Sequence, residues 1–157
     1  MPHAPPEVEV VIEVPRGSFV KRDWHGRVVF VSPLPCPYNY GSVPTHLGLE
    51  GDLLDAIVLG PRLALGTRIR VRAWAAVTLT DRGMADDKLV CSRDPPRATE
   101  IEQVRRFFGF YARCKALLNR LRRRPGRNAC EGLIGAAEAL QRARPLGPDW
   151  TDSPVPF

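Results

Sequence analysis

"TRIRVRAWAAVTLTDRGMADDKLVCS", Thr67 to Ser92, decides the fold. In its first half Ile69, Val71 and Ala73 alternate with Arg68, Arg70 and Arg72, the two-residue period of a half-buried strand. The strand runs on to Asp81, long enough to require a bend. A glycine-containing turn follows, and "DKLVCS" (Asp87 to Ser92) is a further strand. Upstream, "EVEVVIEV" (Glu7 to Val14) begins with apolar and acidic residues in alternation, and Pro15, Gly17 and Ser18 end it. "VVFVS" (Val28 to Ser32) and "DAIVLG" (Asp55 to Gly60) complete a set of five strands. Between these two, "PLPCPYNYGSVP" (Pro33 to Pro44) carries too much proline to pair regularly and is expected to be an ordered loop.

The periodicity changes after "RDPPRATE". From Ile101 onward, Val104, Phe107, Phe108, Tyr111, Leu118 and Leu121 fall on one helical face with arginines on the other, and Thr99 with Glu102 has the spacing of a capping box. "PGRN" breaks this helix, and "ACEGLIGAAEALQRA" (Ala129 to Ala143) reads as a second, weakened by its two glycines. The chain therefore predicts an α+β fold in one domain, 1–157. It comprises a small five-stranded, closed or partly closed β-barrel of OB-like type over about 7–92, two C-terminal helices packed alongside over about 101–143, and an irregular tail, 145–157.

Composition narrows the functional classes. "MPHAPPEVEV" lacks the basic start and apolar stretch of a signal peptide, and no window approaches the ~20 apolar residues of a membrane span. A soluble, cytoplasmic protein with no membrane partner is expected. Cys36, Cys91, Cys114 and Cys130 form no C-x-x-C pair and are expected to be packed thiols. The formal charge of +6 suits an anionic partner. Much of the excess lies in "RLRRRPGR" (Arg120 to Arg127), where no aromatic residues interleave. That pattern reads as a solvated helix end, and nucleic acid is not the expected partner.

Chemistry is concentrated in two acidic segments. In "LGLEGDLLDAIVLG", Glu50, Asp52 and Asp55 crowd together ahead of an apolar run, an arrangement that needs compensating positive charge. Glu50 and Asp52 point the same way if extended, and a turn at Leu53 and Leu54 returns Asp55 to that side. Hard oxygen ligands in this pattern suit Mg2+ or Mn2+. The second segment, "TDRGMADDK", carries Asp81, Asp86 and Asp87 and ends on Lys88. In a barrel the two turns can meet at one rim and form a multi-metal site. With Lys21, Lys88, Tyr40 and Tyr111 near it, the set suits phosphoryl transfer to water.

In order along the chain, "VIEVPRGSFVK", "PYNYG", "EGDLLD", "TDRGMADDK" and "FFGFY" resemble the motifs of soluble family I inorganic pyrophosphatases over about Val10 to Tyr111. The resemblance implies that Glu50, Asp55, Asp81 and Asp86 bind metal and that Asp52 accepts a proton from the metal-bound water. Lys21, Tyr40, Lys88 and Tyr111 match phosphate-site positions, while Glu13 and Asp23 match acidic positions of the cleft. A five-stranded barrel with helices, Mg2+ as cofactor with other divalent ions as alternatives, pyrophosphate as substrate and a homo-oligomer, commonly a hexamer, are likewise implied.

Several positions depart from the family pattern. Glu50 stands for Asp, Leu53 for the proline of D-G-D-P-x-D, and Cys36 for a tyrosine. Val28 stands for a phosphate-binding arginine and Ala112 for a lysine. Arg113 is the expected substitute for that lysine. Arg27 is not expected to replace the arginine lost at Val28, because a strand neighbour points to the opposite face. Loss of these groups leaves two alternatives to pyrophosphate hydrolysis: an organic diphosphate or other phosphorylated metabolite as substrate, or a non-catalytic phosphate- or nucleic-acid-binding homologue.

Overall fold

A computed structural model describes residues 4–22, 27–31, 35–48, 52–81, 83–121 and 129–145. Its strands are β1 (Glu7–Val14), β2 (Val20–Arg22), β3 (Val28–Val31), β4 (Asn39–Leu47), β5 (Leu53–Val58), β6 (Arg68–Asp81), β7 (Met84–Ser92), β8 (Ala129–Ile134) and β9 (Arg144–Pro145). Two helices follow the ring strands, α1 (Ala98–Leu121) and α2 (Ala136–Arg142). Pairing runs β1–β4–β5–β7–β6, and β6 returns to β1, so these five strands close on themselves. All contacts in the ring are antiparallel except β5–β7, which is parallel. β8 lies on the other edge of β6, β9 pairs with β4, and β2 with β3 forms a separate two-stranded sheet.

Alternation sends one set of side chains inward. Val10, Ile12, Val43, Leu54, Ala56 and Leu89 fill the ring, and Ala136, Ala139 and Ala143 of α2 and its C-cap pack against them. The other set faces out, where Ile57, Val77 and Val90 meet Val104 and Phe108 of α1. Beyond Asp55, β5 is thus apolar on both faces, which accounts for its hydrophobic run from Ala56 to Val58. The arginines of β6 reach acids of β1, with Arg68 at 2.7 Å from Glu9 and Arg70 at 4.0 Å from Glu7. These exposed pairs add little stability. β6 shifts register between Ala73 and Ala75, the irregularity that a long ring strand needs to bend.

The five ring strands are not the five that the pattern predicts. The proline-rich segment supplies β4, whereas Val28–Val31 lies outside the ring. Pro44 falls where the β4–β5 register shifts between Val43 and Leu47, so its missing N–H is accommodated by the irregularity. At the start of β4, fully buried Asn39 is satisfied on every side. Its Oδ1 accepts from the Arg16 and Leu63 amides, and its Nδ2 donates to the Val58 and Pro61 carbonyls.

The second helix is also shorter than expected. Ala129–Ile134 extends along the open edge of β6, and Gly132, at φ 127°, adopts a backbone geometry that suits glycine. Helix α1 begins ahead of the expected capping box. Glu100 accepts from the Arg97 amide at 3.1 Å, while Glu102 pairs with Arg105 inside the helix. The apolar face does not persist to the end, since Leu121 is 73% exposed. "PGRN" and residues 146–157 lie outside the described residues.

Gly41 marks the tightest approach of β4 to β1, because a Cβ there would overlap the Val11 carbonyl oxygen. Gly109, within α1, has open space around the same position. Gly41→Ala is expected to destabilise the protein by about 3 kcal/mol, whereas Gly109→Ala adds about 0.5–1 kcal/mol. Urea unfolding of the two variants checks both signs.

Candidate active site

Strand register builds the site. Ser42 of β4 is paired with Asp55 of β5, and Asp55 with Lys88 of β7, so their side chains form one row on the outer face of the ring. The neighbouring row, Tyr40, Ile57 and Val90, is the apolar floor beneath α1. Asp86 precedes Lys88 by two residues and shares its face. Glu13 enters at the register shift of β1 between Ile12 and Val14, and Lys21 comes from β2.

Lys88 joins these groups. Its ammonium lies 2.9 Å from Asp55 and 3.1 Å from Asp86, and it donates to the Tyr40 hydroxyl at 2.6 Å. Burial alone would push the Lys88 pKa down, but Asp55 and Asp86 hold it well above the lysine value. Burial likewise pushes the Asp55 carboxyl up, yet Lys88 and Lys21, with the Tyr40 hydroxyl, hold it below the usual aspartate value. Asp86 stays raised, because burial and the repulsion of Asp55 outweigh Lys88. Lys21 lies 3.3 Å from Glu13 and 4.0 Å from Asp55. Even so, burial keeps the Glu13 carboxyl raised. Both ammoniums also approach the Tyr40 ring, at 5.0 Å for Lys88 and 5.6 Å for Lys21.

Six of the residues singled out in the sequence therefore meet: Glu13, Lys21, Tyr40, Asp55, Asp86 and Lys88. They do so on the outer face of the ring rather than at its rim. Asp52 is only partly buried and lines a small cavity with Asp55, Asp86 and Asp87. Its carboxyl is raised by burial and by Asp55, against the pull of Lys21. Tyr111 packs on α1 with Phe107, Phe108 and Tyr40 in the outer apolar cluster. Glu50 and Asp23 lie outside the described residues, as does the side chain of Asp81.

The positions that depart from the family pattern are informative. Val28 is 51% exposed on the β2–β3 sheet, and Cys36 is buried, its thiol pushed up by burial while feeling the Lys88 charge. Ala112 is buried within the α1 packing. Arg113 does not replace the missing lysine. It is exposed and lines an outer groove with Arg105, Arg106 and Phe110. Lys115, one turn beyond Tyr111, lowers the pKa of Asp86 instead. That cation was readable from its helical spacing and is absent from the expected set. Asp87, the third acid of the second acidic segment, does not join the site. It faces inward, where Thr78 donates to it at 3.0 Å and Arg142 of α2 lies 3.4 Å away.

Four carboxylates, Glu13, Asp52, Asp55 and Asp86, face two close ammoniums, Lys21 and Lys88, with Lys115 contributing more weakly. The surplus is negative and every donor is a hard oxygen, the chemistry that Mg2+ takes. Among the described residues no three acids converge closely enough to hold an ion by themselves.

A family profile described as inorganic pyrophosphatase matches residues 10–137. Over 130 residues the chain is 32% identical to a soluble inorganic pyrophosphatase of Oryza sativa subsp. indica, covering 70% of this chain and 61% of the relative. The chain thus spans less than two thirds of that relative's length. An inorganic pyrophosphatase structure from Neisseria gonorrhoeae superimposes with a TM-score of 0.66 at 27% identity, covering 86% of each chain. One from Thermus thermophilus gives 0.68 at 25% identity and 90% coverage of each. These superpositions support the expected α+β, OB-like fold. The chain belongs to the inorganic pyrophosphatase family.

Removing Lys88 strands two buried carboxylates, so Lys88→Met is expected to cost roughly 3–5 kcal/mol in urea unfolding. The pH dependence follows from Asp55, whose pKa is depressed on folding. Its contribution is present above the unfolded value of about 3.8 and is lost as pH falls through the lower folded value. Acid unfolding of wild type is therefore expected to steepen below about pH 3.8. That component disappears in Asp55→Asn, and equal slopes would contradict the assignment.

Proposed function

We propose that the protein hydrolyses inorganic pyrophosphate to two phosphates in a Mg2+-dependent reaction. The observation that carries this reading is the negative surplus beside Lys21 and Lys88 on the outer face of the ring. Asp55 and Asp86, with Glu50 and Asp81 by family position, would hold the cation. Bound there, Mg2+ supplies neutralisation of phosphate oxygens and acidification of water. Asp52, kept basic by burial and by Asp55, accepts the proton of the attacking water. Lys21, the more exposed of the two ammoniums, would meet the anion, with Lys88, Tyr40 and Tyr111 at the other phosphate-site positions. As water oxygen bonds to one phosphorus, the bridging P–O bond breaks and the second phosphate leaves.

The family position implies a cytoplasmic homo-oligomer, a hexamer on the bacterial pattern. Phe110, Leu117 and Leu121 stand exposed on α1 and support association. No helix among the described residues is long and apolar enough to cross a membrane. An organic diphosphate is the second reading, favoured by the placement of Val28 and Ala112 where the family has cations.

Phosphate release from pyrophosphate, with and without Mg2+, tests the proposal on wild type and Asp52→Asn. Mg2+-dependent release is expected, falling roughly 10²- to 10⁴-fold in the variant. No turnover with any divalent ion would refute it. A parallel panel of organic diphosphates then separates a retuned hydrolase from a binding protein.

A further inference from the structure

The two lysines of the site are held differently. Lys88 is 6% exposed and its ammonium has three acceptors, Asp55, Asp86 and Tyr40. Lys21 is 26% exposed, and its ionic partners among the described residues are Glu13 at 3.3 Å and Asp55 at 4.0 Å. An anion entering the site can draw Lys21 toward itself by a short movement of a long side chain. Lys88 cannot follow without abandoning three partners.

Withdrawing Lys21 has a consequence for Glu13. That residue is 8% exposed, and Lys21 is the cation beside it. A carboxylate so deeply buried is strongly disfavoured once its partner leaves, unless another donor takes over. Such a donor is adjacent. Ser42 is buried, and its hydroxyl completes no hydrogen bond of normal geometry among the described residues. Its register partner is Asp55, which directs it to the same outer face, and it is already close enough to Glu13 to act on that carboxyl as a weak donor, lowering its pKa against burial. Among the described residues the other buried side-chain atom without a partner, Asn119 Nδ2, belongs to α1 near its C-terminal end.

We propose that Ser42 is a positioning residue that takes over Glu13 when bound phosphate draws Lys21 away. Rotation about one side-chain bond turns the hydroxyl proton toward the Glu13 carboxylate. In the ligand-free protein the Ser42–Glu13 hydrogen bond is incompletely formed, and the anion-bound protein completes it. This inference rests on reading the site as a phosphate site, with Lys21 as the cation that moves.

A double-mutant cycle tests it, using calorimetric titration with inorganic phosphate in Mg2+ buffer and urea unfolding in phosphate-free buffer. The proteins are wild type, Ser42→Ala, Glu13→Gln and the double variant. Phosphate affinity is expected to fall about tenfold in Ser42→Ala, the effect of one hydrogen bond to a charged group. The unfolding midpoint without phosphate should stay equal or rise. In the Glu13→Gln background the Ser42→Ala change should have little further effect, since no charge is left to hold. Unchanged phosphate affinity in Ser42→Ala would overturn the proposal. So would a loss matched by a lower midpoint, or one that persists undiminished without the Glu13 charge. Wild type that binds no phosphate would overturn the phosphate-site reading and this inference with it, whereas normal wild-type binding with a silent Ser42→Ala overturns this inference alone.

Discussion

A buried ammonium shared by two carboxylates and a phenol is the constraint from which the rest of the architecture follows. Without Lys88, burial of Asp55 and Asp86 beside α1 would leave uncompensated charge in a poorly hydrated place. The contact exists because β5 and β7 run parallel with Asp55 opposite Lys88. A slip of one residue would turn Lys88 into the ring and bring Leu89 into the site. The apolar row of Ile57 and Val90 against Val104 and Phe108 fixes that register. Packing beneath the helix and charge pairing at its border thus specify the same alignment.

Much of this was legible along the chain, for physical reasons that differ by element. β1, β5, β6 and β7 announce themselves because alternation or an unbroken apolar run is a local property. β4 does not, since proline argues against pairing and only the register shift around Pro44 reconciles the two. The segment Ala129–Ile134 has helix-forming composition but meets a free strand edge, and tertiary pairing prevails over propensity. The acids and lysines could be nominated from the family motifs. Their meeting on the outer face depends on a parallel pairing between distant strands, which leaves no local trace.

Arg113 does not stand in for the lysine that its neighbour Ala112 lacks. Arg113 turns outward because the helical face is set by Val104, Phe108 and Ala112, and shifting the register to bring an arginine inward would expose those residues. Lys115, one turn beyond Tyr111, weakly lowers the pKa of Asp86.

Closure of the ring by β1 and β6 also orders events during synthesis. Glu7–Val11 pairs with Arg68–Arg72, so the first ring strand must wait for the middle of the chain to emerge before that edge is covered. Asp55 is translated well before Lys88, the ammonium that makes its burial tolerable. A nascent chain that has not reached β7 therefore carries an acidic strand it cannot bury. Release of the helical segment from the ribosome comes later still, so the outer face can be covered only after its charge balance is complete.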